Sequence, residues 1–235
     1  MSLPPAGFNK KMEEVKSVDK SFSLAHQVFK IMEQAIITEE IPRGTELTEL
    51  SLSAKYGVSR TPIREAVAML EQEDLVQSKG KKILVLGVTE QDILDIVDIR
   101  IAIEGKAMAL AARNITEEGI KELEGILKMQ EYYITQNDAE QISAMDSEFH
   151  YTIYKYCGSR IYGGTLTELH RKMARFRELT VENSPKAKKS GSEHRAIFEA
   201  IKAHDATLAE SLGTEHALKA KERLEKEQKN SRTEA

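Results

Sequence analysis

A single cysteine, Cys157, is all the chain has, so no intrachain disulfide can form and a cysteine-built zinc ribbon is excluded. Long apolar runs are also missing, and those present are too short to cross a bilayer. The opening stretch MSLPPAGFNKKMEEVKSVDK lacks the apolar segment of a secretory signal and mixes both charge signs with Pro and Gly. It reads as a flexible arm over 1–20, and the expected location is cytoplasmic. Excess basic charge is absent too: the formal net charge is −4, which rules out coating nucleic acid by bulk attraction. Any DNA binding must come from a local patch. Residues 1–88 carry twelve basic and twelve acidic side chains, so the whole deficit lies in 89–235. No internal repeat is visible. What is present is the composition of an ordinary globular protein, in a length that allows two small domains, each with its own core.

Ser23 is placed to cap a first helix whose apolar residues Leu24, Val28, Ile31, Met32, Ala35 and Ile36 follow the helical period, with Pro42 and Gly44 ending it. A short second helix fits Thr48 to Tyr56, closed by Gly57. A third fits Arg60 to Glu73, capped by Ser59 and tolerating Pro62 in its first turn. Within it Ile63, Ala66, Val67 and Leu70 form a stripe toward the core, which leaves Arg60 and Arg64 on the outer face. Leu75-Val76-Gln77 and Ile83-Leu84-Val85-Leu86 read as two short strands around the polar tip Ser78-Lys79-Gly80-Lys81-Lys82, a basic hairpin.

Helix, glycine turn, capped helix and basic hairpin in this order describe a winged helix-turn-helix. A helix fits the major groove, where an arginine donates two hydrogen bonds to guanine O6 and N7, so Arg60 and Arg64 are placed to read bases. Thr61 and the helix start at Ser59 can hold phosphates. Lys79, Lys81 and Lys82 supply charge to the sugar-phosphate rails around Gly80, whose missing side chain lets backbone approach the duplex.

From Thr89 onward the pattern is helical, with breaks near Asn114-Ile115-Thr116, Asn137-Asp138, Gly158-Ser159, Ser184-Pro185 and His204-Asp205, giving six helices and a charged end that frays after about Lys221. Asp146 and His150 are four apart, hence on one face of a helix, a spacing that suits two metal ligands. His194 and His216 lie eleven residues either side of Asp205. If that residue caps the return of an antiparallel hairpin, both sit about 16 Å from the turn and side by side. One carboxylate and three imidazoles would suit a divalent zinc, nickel, manganese or iron ion. The competing account makes each histidine a structural or surface residue, and His26, His170 and His204 are assigned to it.

The chain resembles the GntR family of bacterial regulators through Pro42-Arg43-Gly44, Leu47-Thr48-Glu49 and above all GVSRTPIREAVAMLEQEDLV from Gly57 to Val76. The resemblance implies that Arg60, Thr61, Arg64, Lys79 and Gly80 contact DNA. One departure is Leu50, where the family usually has arginine. The second half is similar to the FCD domain of the FadR-type branch, on Asp146, Phe149-His150, Glu193-His194-Arg195-Ala196-Ile197 and His216. This implies a helical bundle holding a divalent metal, with zinc the leading choice, at Asp146, His150, His194 and His216, and an effector carboxylate completing the coordination. It also implies that Arg100 can meet an acidic effector. The plainer account makes Arg100 and Glu104 a surface i, i+4 pair contributing about 0.3–0.5 kcal/mol.

The expected fold is therefore mainly α: a winged helix-turn-helix of three helices and a small hairpin over 21–88, an all-helical bundle over 89–228 serving effector, metal and dimerisation, and a charged tail over 229–235. The expected function is a homodimeric regulator, a repressor by resemblance, that binds a palindromic operator under control of a small organic acid. Effector binding would act through the segment around Gly87 to Asp92 on the separation of the two DNA-binding heads. Two alternatives stand beside it. An Asp and three His can activate water in a metal-dependent hydrolase or lyase, although no separate general base stands out. The metal itself can also be the signal, with no organic effector.

Overall fold

The computed structural model describes residues 23–174 and 184–233, so the arm expected over 1–20 lies outside the described residues. The chain divides between Val88 and Thr89 into two compact units.

In the first unit, α1 (Leu24–Ile37) is capped by Ser23, whose hydroxyl accepts from the His26 N–H. The helix ends well before Pro42. Glu39 adopts a left-handed conformation (φ 57°), and the Ile41 N–H turns back to the Ala35 carbonyl at 2.8 Å, so local hydrogen bonding stops the helix first. Leu24 is exposed instead of joining the core stripe. Next come α2 (Glu49–Tyr56) and α3 (Arg60–Gln72). Thr48 and Ser51 form a reciprocal capping box at the start of α2, and Gly57 closes it at φ 65°. Ile63, Ala66, Val67 and Leu70 are buried as their spacing predicts, and α3 packs on α1 around Val28, Met32 and Ile36.

The sheet has three strands rather than the two of the expected hairpin. Strand β1 (Glu46–Leu47) pairs antiparallel with β3 (Lys82–Val85), which pairs in turn with β2 (Val76–Lys79), giving the order β1-β3-β2. A two-residue strand is too short to show alternation in sequence, and only its partner reveals it.

The second unit contains α4 (Glu90–Asn114), α5 (Glu117–Gln136), α6 (Ala139–Tyr156), α7 (Arg160–Lys172), α8 (Ser184–Lys202) and α9 (Ala206–Thr233). Local chemistry sets the boundaries. Thr89 and Asp92 form a capping box, Thr116, Asp138 and Ser159 cap the next three helices, and Asn137 and Gly158 take left-handed turns. The α8–α9 turn uses His204 at φ 55° and Asp205, whose carboxylate accepts from the Leu208 N–H. Helix α9 continues through Thr233, so the segment expected as a charged tail over 229–235 carries on the helix for most of its length.

The core of this unit is built on Met108, Leu123, Leu127, Phe149, Ile153, Leu166 and Phe198. Its most extensive helix pair is α4 with α9. Two glycines make that crossing possible. A Cβ on Gly213 would lie 3.1 Å from Gly105 Cα and press on Met108 Sδ, and one on Gly105 would lie 2.5 Å from the Glu210 carbonyl. These glycines neighbour Glu104 and His216, so the close approach draws both side chains toward the interior of the bundle.

Candidate functional site

Arg60, Thr61 and Arg64 are exposed on α3, while Ser59 occupies the N-cap position without a capping hydrogen bond from its side chain. Lys79 pairs with Lys82 across the hairpin, and Gly80 (φ 66°) and Lys81 form its two-residue tip. Nothing lies within 4 Å of a Cβ built on Gly80, so the left-handed backbone, not crowding, is what calls for glycine there. The hairpin is tied to α3 by the Ser78 N–H, which donates to Glu71 at 2.6 Å. Lys82 is paired with Glu46 of β1 at 2.5 Å. Between α2, α3 and the hairpin lies a groove of about 710 Å³ whose lining includes Glu49, Leu50, Arg60, Arg64, Gly80 and Lys81.

Within this groove Arg64 has a partner that spacing does not predict. Its Nε donates to both oxygens of Glu49, at 2.8 and 2.9 Å. The hydrogen bond from Arg64 holds the Glu49 carboxyl below its usual range, and the carboxylate in turn raises Arg64. Because Glu49 engages Nε, the two terminal nitrogens of this guanidinium are left as donors for another partner. Arg43 serves the unit's own structure: its Nε donates to the Leu86 carbonyl at 2.8 Å, and its side chain fills the space a Cβ on Gly87 would need.

In the second unit His150 on α6, His194 on α8 and His216 on α9 converge. All three are buried, and one ring nitrogen from each lies within 4.8 Å of the others. The ring centroids of His194 and His216 are 4.9 Å apart across the α8–α9 hairpin. Asp146, one turn before His150, places its Oδ1 3.6 Å from His194 Nε2. The ring of His194 is fixed by stacking on Phe149 with centroids 4.4 Å apart.

Each histidine uses Nδ1 toward an oxygen: His150 toward Glu104 at 3.0 Å, His194 toward Gln130 at 3.0 Å and His216 toward Glu193 at 2.8 Å. An oxygen acceptor makes Nδ1 the protonated nitrogen, which leaves the lone pair on Nε2. His194 Nε2 is buried without a hydrogen-bond partner. Burial lowers the pKa of His150, against the opposing pull of Glu104. Burial, with His216 and His150 adding to it, drives that of His194 well below the ordinary value. Both are thus neutral imidazoles near pH 7. Burial would raise the pKa of Glu104, but Arg100 and His150 outweigh it and hold the carboxylate well below its usual range. Glu193 is held down in the same way by His216 and Arg223. Three buried imidazoles with oriented tautomers, a neighbouring carboxylate and an orphaned buried nitrogen fit a divalent cation.

Arg100 is not part of a surface pair. It is buried and donates from Nε and Nη2 to the two oxygens of Glu104, at 3.0 and 2.9 Å, and from Nη1 to Met173 Sδ. Glu104 also accepts from the Tyr154 hydroxyl at 2.5 Å. His170, assigned to a structural role, lies buried with its ring 4.7 Å from that of His150. His204 does occupy a structural place, with its Nδ1 2.7 Å from the Ala112 carbonyl oxygen. Sequence reasoning left Gln130 and Glu193 without a role. Glu193 carries a signal in its position beside His194, whereas Gln130, 64 residues away, carries none.

Residues 24–83 match the family described as bacterial regulatory proteins, gntR family, and residues 95–219 match the FCD domain. The chain is 36% identical over 120 residues to the gluconate operon transcriptional repressor of Bacillus licheniformis, an alignment covering 51% of this chain and 49% of that protein. It therefore spans about half the length of that relative. It is 26% identical to the HTH-type transcriptional repressor RspR of Escherichia coli (strain K12), over 81% of this chain and 84% of its relative. Its fold is similar to that of E. coli McbR/YncC, with a TM-score of 0.74 at 23% identity, over 88% of this chain and 99% of the other. Among the described residues no helix is long and apolar enough to cross a membrane. The matched family and these relatives are described as transcription regulators, and none of these descriptions names the hydrolase or lyase activity of the alternative reading. The chain belongs to the GntR family of DNA-binding transcription regulators, with an FCD domain following its winged helix-turn-helix.

Proposed function

We propose that this regulator is a homodimeric repressor whose affinity for a palindromic operator is set by a small carboxylate bound at a divalent-metal site in the helical unit. Arg60, Thr61 and Arg64 would contact bases and phosphates from α3, with Ser59 at the helix start and Lys79, Gly80 and Lys81 in the wing on the sugar-phosphate backbone. The observation that carries the metal reading is the buried set His150, His194 and His216, each with Nδ1 turned to an oxygen, with the His194 Nε2 orphaned beside Asp146. His150, His194, His216 and Asp146 would hold the ion, with zinc favoured and nickel, manganese or iron the other candidates. When bound, the ion supplies a positive Lewis-acid centre that an organic carboxylate can join.

The chain's own residues do the rest. Glu104, Gln130 and Glu193 fix the three imidazole tautomers, and Phe149 fixes the plane of His194. With its guanidinium committed to Glu104, Arg100 contributes positive charge beside the histidine cluster as a paired ion, and a direct contact with effector would go through Nη1, whose partner is the weak acceptor Met173 Sδ. An effector changes operator affinity only by binding the two states of the dimer unequally.

Elemental analysis of chain purified without added metal, coupled to thermal melts with chelator and with added zinc, tests the site. The expected result is about one ion per chain and a melting temperature that falls on chelation. No ion and no response to added metal would return the histidines to a structural role. A gel-shift series against a panel of small mono- and dicarboxylates, with Arg64→Ala as the DNA-binding control, tests the output. Unchanged operator affinity in Arg64→Ala would remove α3 from the interface.

A further inference from the structure

Leu50 is 62% exposed in the first turn of α2, and it lines the same groove as Arg60, Arg64 and Lys81. A leucine so placed gains little from the fold, because the buried residue of this helix is Leu52. Its neighbour Glu49 does not make the spot acidic, since its charge is offset by Arg64 at 2.8 Å. The groove thus presents an apolar side chain on its wall, next to a neutralised ion pair, with cationic side chains around it.

We propose that Leu50 is a specificity-determining residue that reads the 5-methyl group of a thymine in each operator half-site. The inference rests on the reading of this groove as the DNA interface. Cationic side chains suit phosphates and guanine edges, and a leucine can make neither contact. On the major-groove edges of the four standard bases the thymine methyl is the one apolar feature, and apolar side chains recognise it by contact. Covering a methyl-sized apolar group corresponds to about a fourfold change in affinity. The Glu49–Arg64 pair strengthens the case: it keeps the Glu49 carboxylate from repelling a base edge beside Leu50, and its free terminal nitrogens leave Arg64 able to read a neighbouring guanine.

The test begins with selection of binding sites from a random duplex pool by the full chain. Each thymine of the selected half-site is then replaced singly by deoxyuridine, which removes the methyl and preserves pairing. The wild-type chain is expected to lose about fourfold at one thymine per half-site. Leu50→Ala, which removes the contact from both protomers, is expected to bind the unmodified site about sixteenfold more weakly, to be indifferent to deoxyuridine at that position, and to keep the wild-type circular dichroism spectrum, since Leu50 is exposed. Leu50→Arg, selected from the same pool, is expected to exchange thymine for guanine there. Equal deoxyuridine sensitivity in wild type and Leu50→Ala, or insensitivity at every thymine, overturns the inference while Arg64→Ala still abolishes binding. If Arg60→Ala and Arg64→Ala bind as tightly as wild type, or if no sequence is enriched, the interface reading falls and the inference with it.

Discussion

Replacing Arg100 by methionine takes a guanidinium away from a carboxylate that cannot reach water. The side chains of Arg100 and Glu104 are 4% and 0% exposed and share two hydrogen bonds, of 3.0 and 2.9 Å. An exposed i, i+4 pair contributes about 0.3–0.5 kcal/mol, whereas removing one partner of a buried pair costs about 3–5 kcal/mol, because the remaining charge is left uncompensated. Glu104 keeps its contacts with His150 and Tyr154, so the expected loss is near the lower bound, about 3 kcal/mol. With a urea m-value of about 2 kcal/mol/M for a unit of this size, the unfolding midpoint of the helical unit should fall by about 1.5 M. The assay is urea denaturation followed by far-ultraviolet circular dichroism at pH 7 and fixed protein concentration, the latter because association shifts apparent stability. The double variant Arg100→Met/Glu104→Gln should recover part of the loss: its neutral amide needs no counter-ion and still accepts from His150. A midpoint shift under about 0.3 M in Arg100→Met would refute the reasoning, since the pair would then behave as a solvated one.

Gly213→Val should lower the thermal midpoint of the helical unit by several degrees, about 1–3 kcal/mol of overpacking, because its side chain would enter the space held by Gly105 and Met108; an unchanged melt would mean that α4 and α9 do not need their close approach. In metal-free chain, burial holds His150 and His194 below the ordinary histidine pKa of about 6.5, so on acidification the unfolded chain takes up protons before the native one. The neutral rings therefore carry no penalty above about pH 6.5, and stability should fall as pH drops from there toward the lowered native values. Urea midpoints measured from pH 8 to pH 5 check this, and a midpoint rising over pH 6.5 to 5 would contradict it.

Much of the architecture was legible because it is written in local chemistry. The α3 stripe of Ile63, Ala66, Val67 and Leu70, the turn at Gly57 and the breaks at Asn137, Gly158 and Asp205 are all set by residues within one or two turns. Of the candidate metal site, the sequence carried the pair four apart on α6 and the symmetric placement of His194 and His216 about a helix break, because helical rise turns spacing into position. Where local competition was close, the reading slipped. Helix α1 stops at a left-handed Glu39, a conformation without a proline or glycine to announce it, and β1 has no pattern of its own apart from its pairing with β3.

Sequence by itself determined the two-part organisation, the exposed arginines of α3 and the identities of the four candidate metal-site residues. Only the tertiary structure decided what surrounds them. Gln130 meets His194 from 64 residues away, Glu49 holds Arg64 from another helix, and Arg100 and Glu104 are dry because α4 is buried at that level of the bundle. Helical periodicity fixes the face on which a residue lies, but the partner of that face, and so the dielectric around a charge or the hydrogen bond that selects a tautomer, depends on chain segments distant in sequence. That is why the same i, i+4 spacing from Arg100 to Glu104 could be read as a weak surface pair when it is a buried, doubly hydrogen-bonded pair beside the histidine cluster.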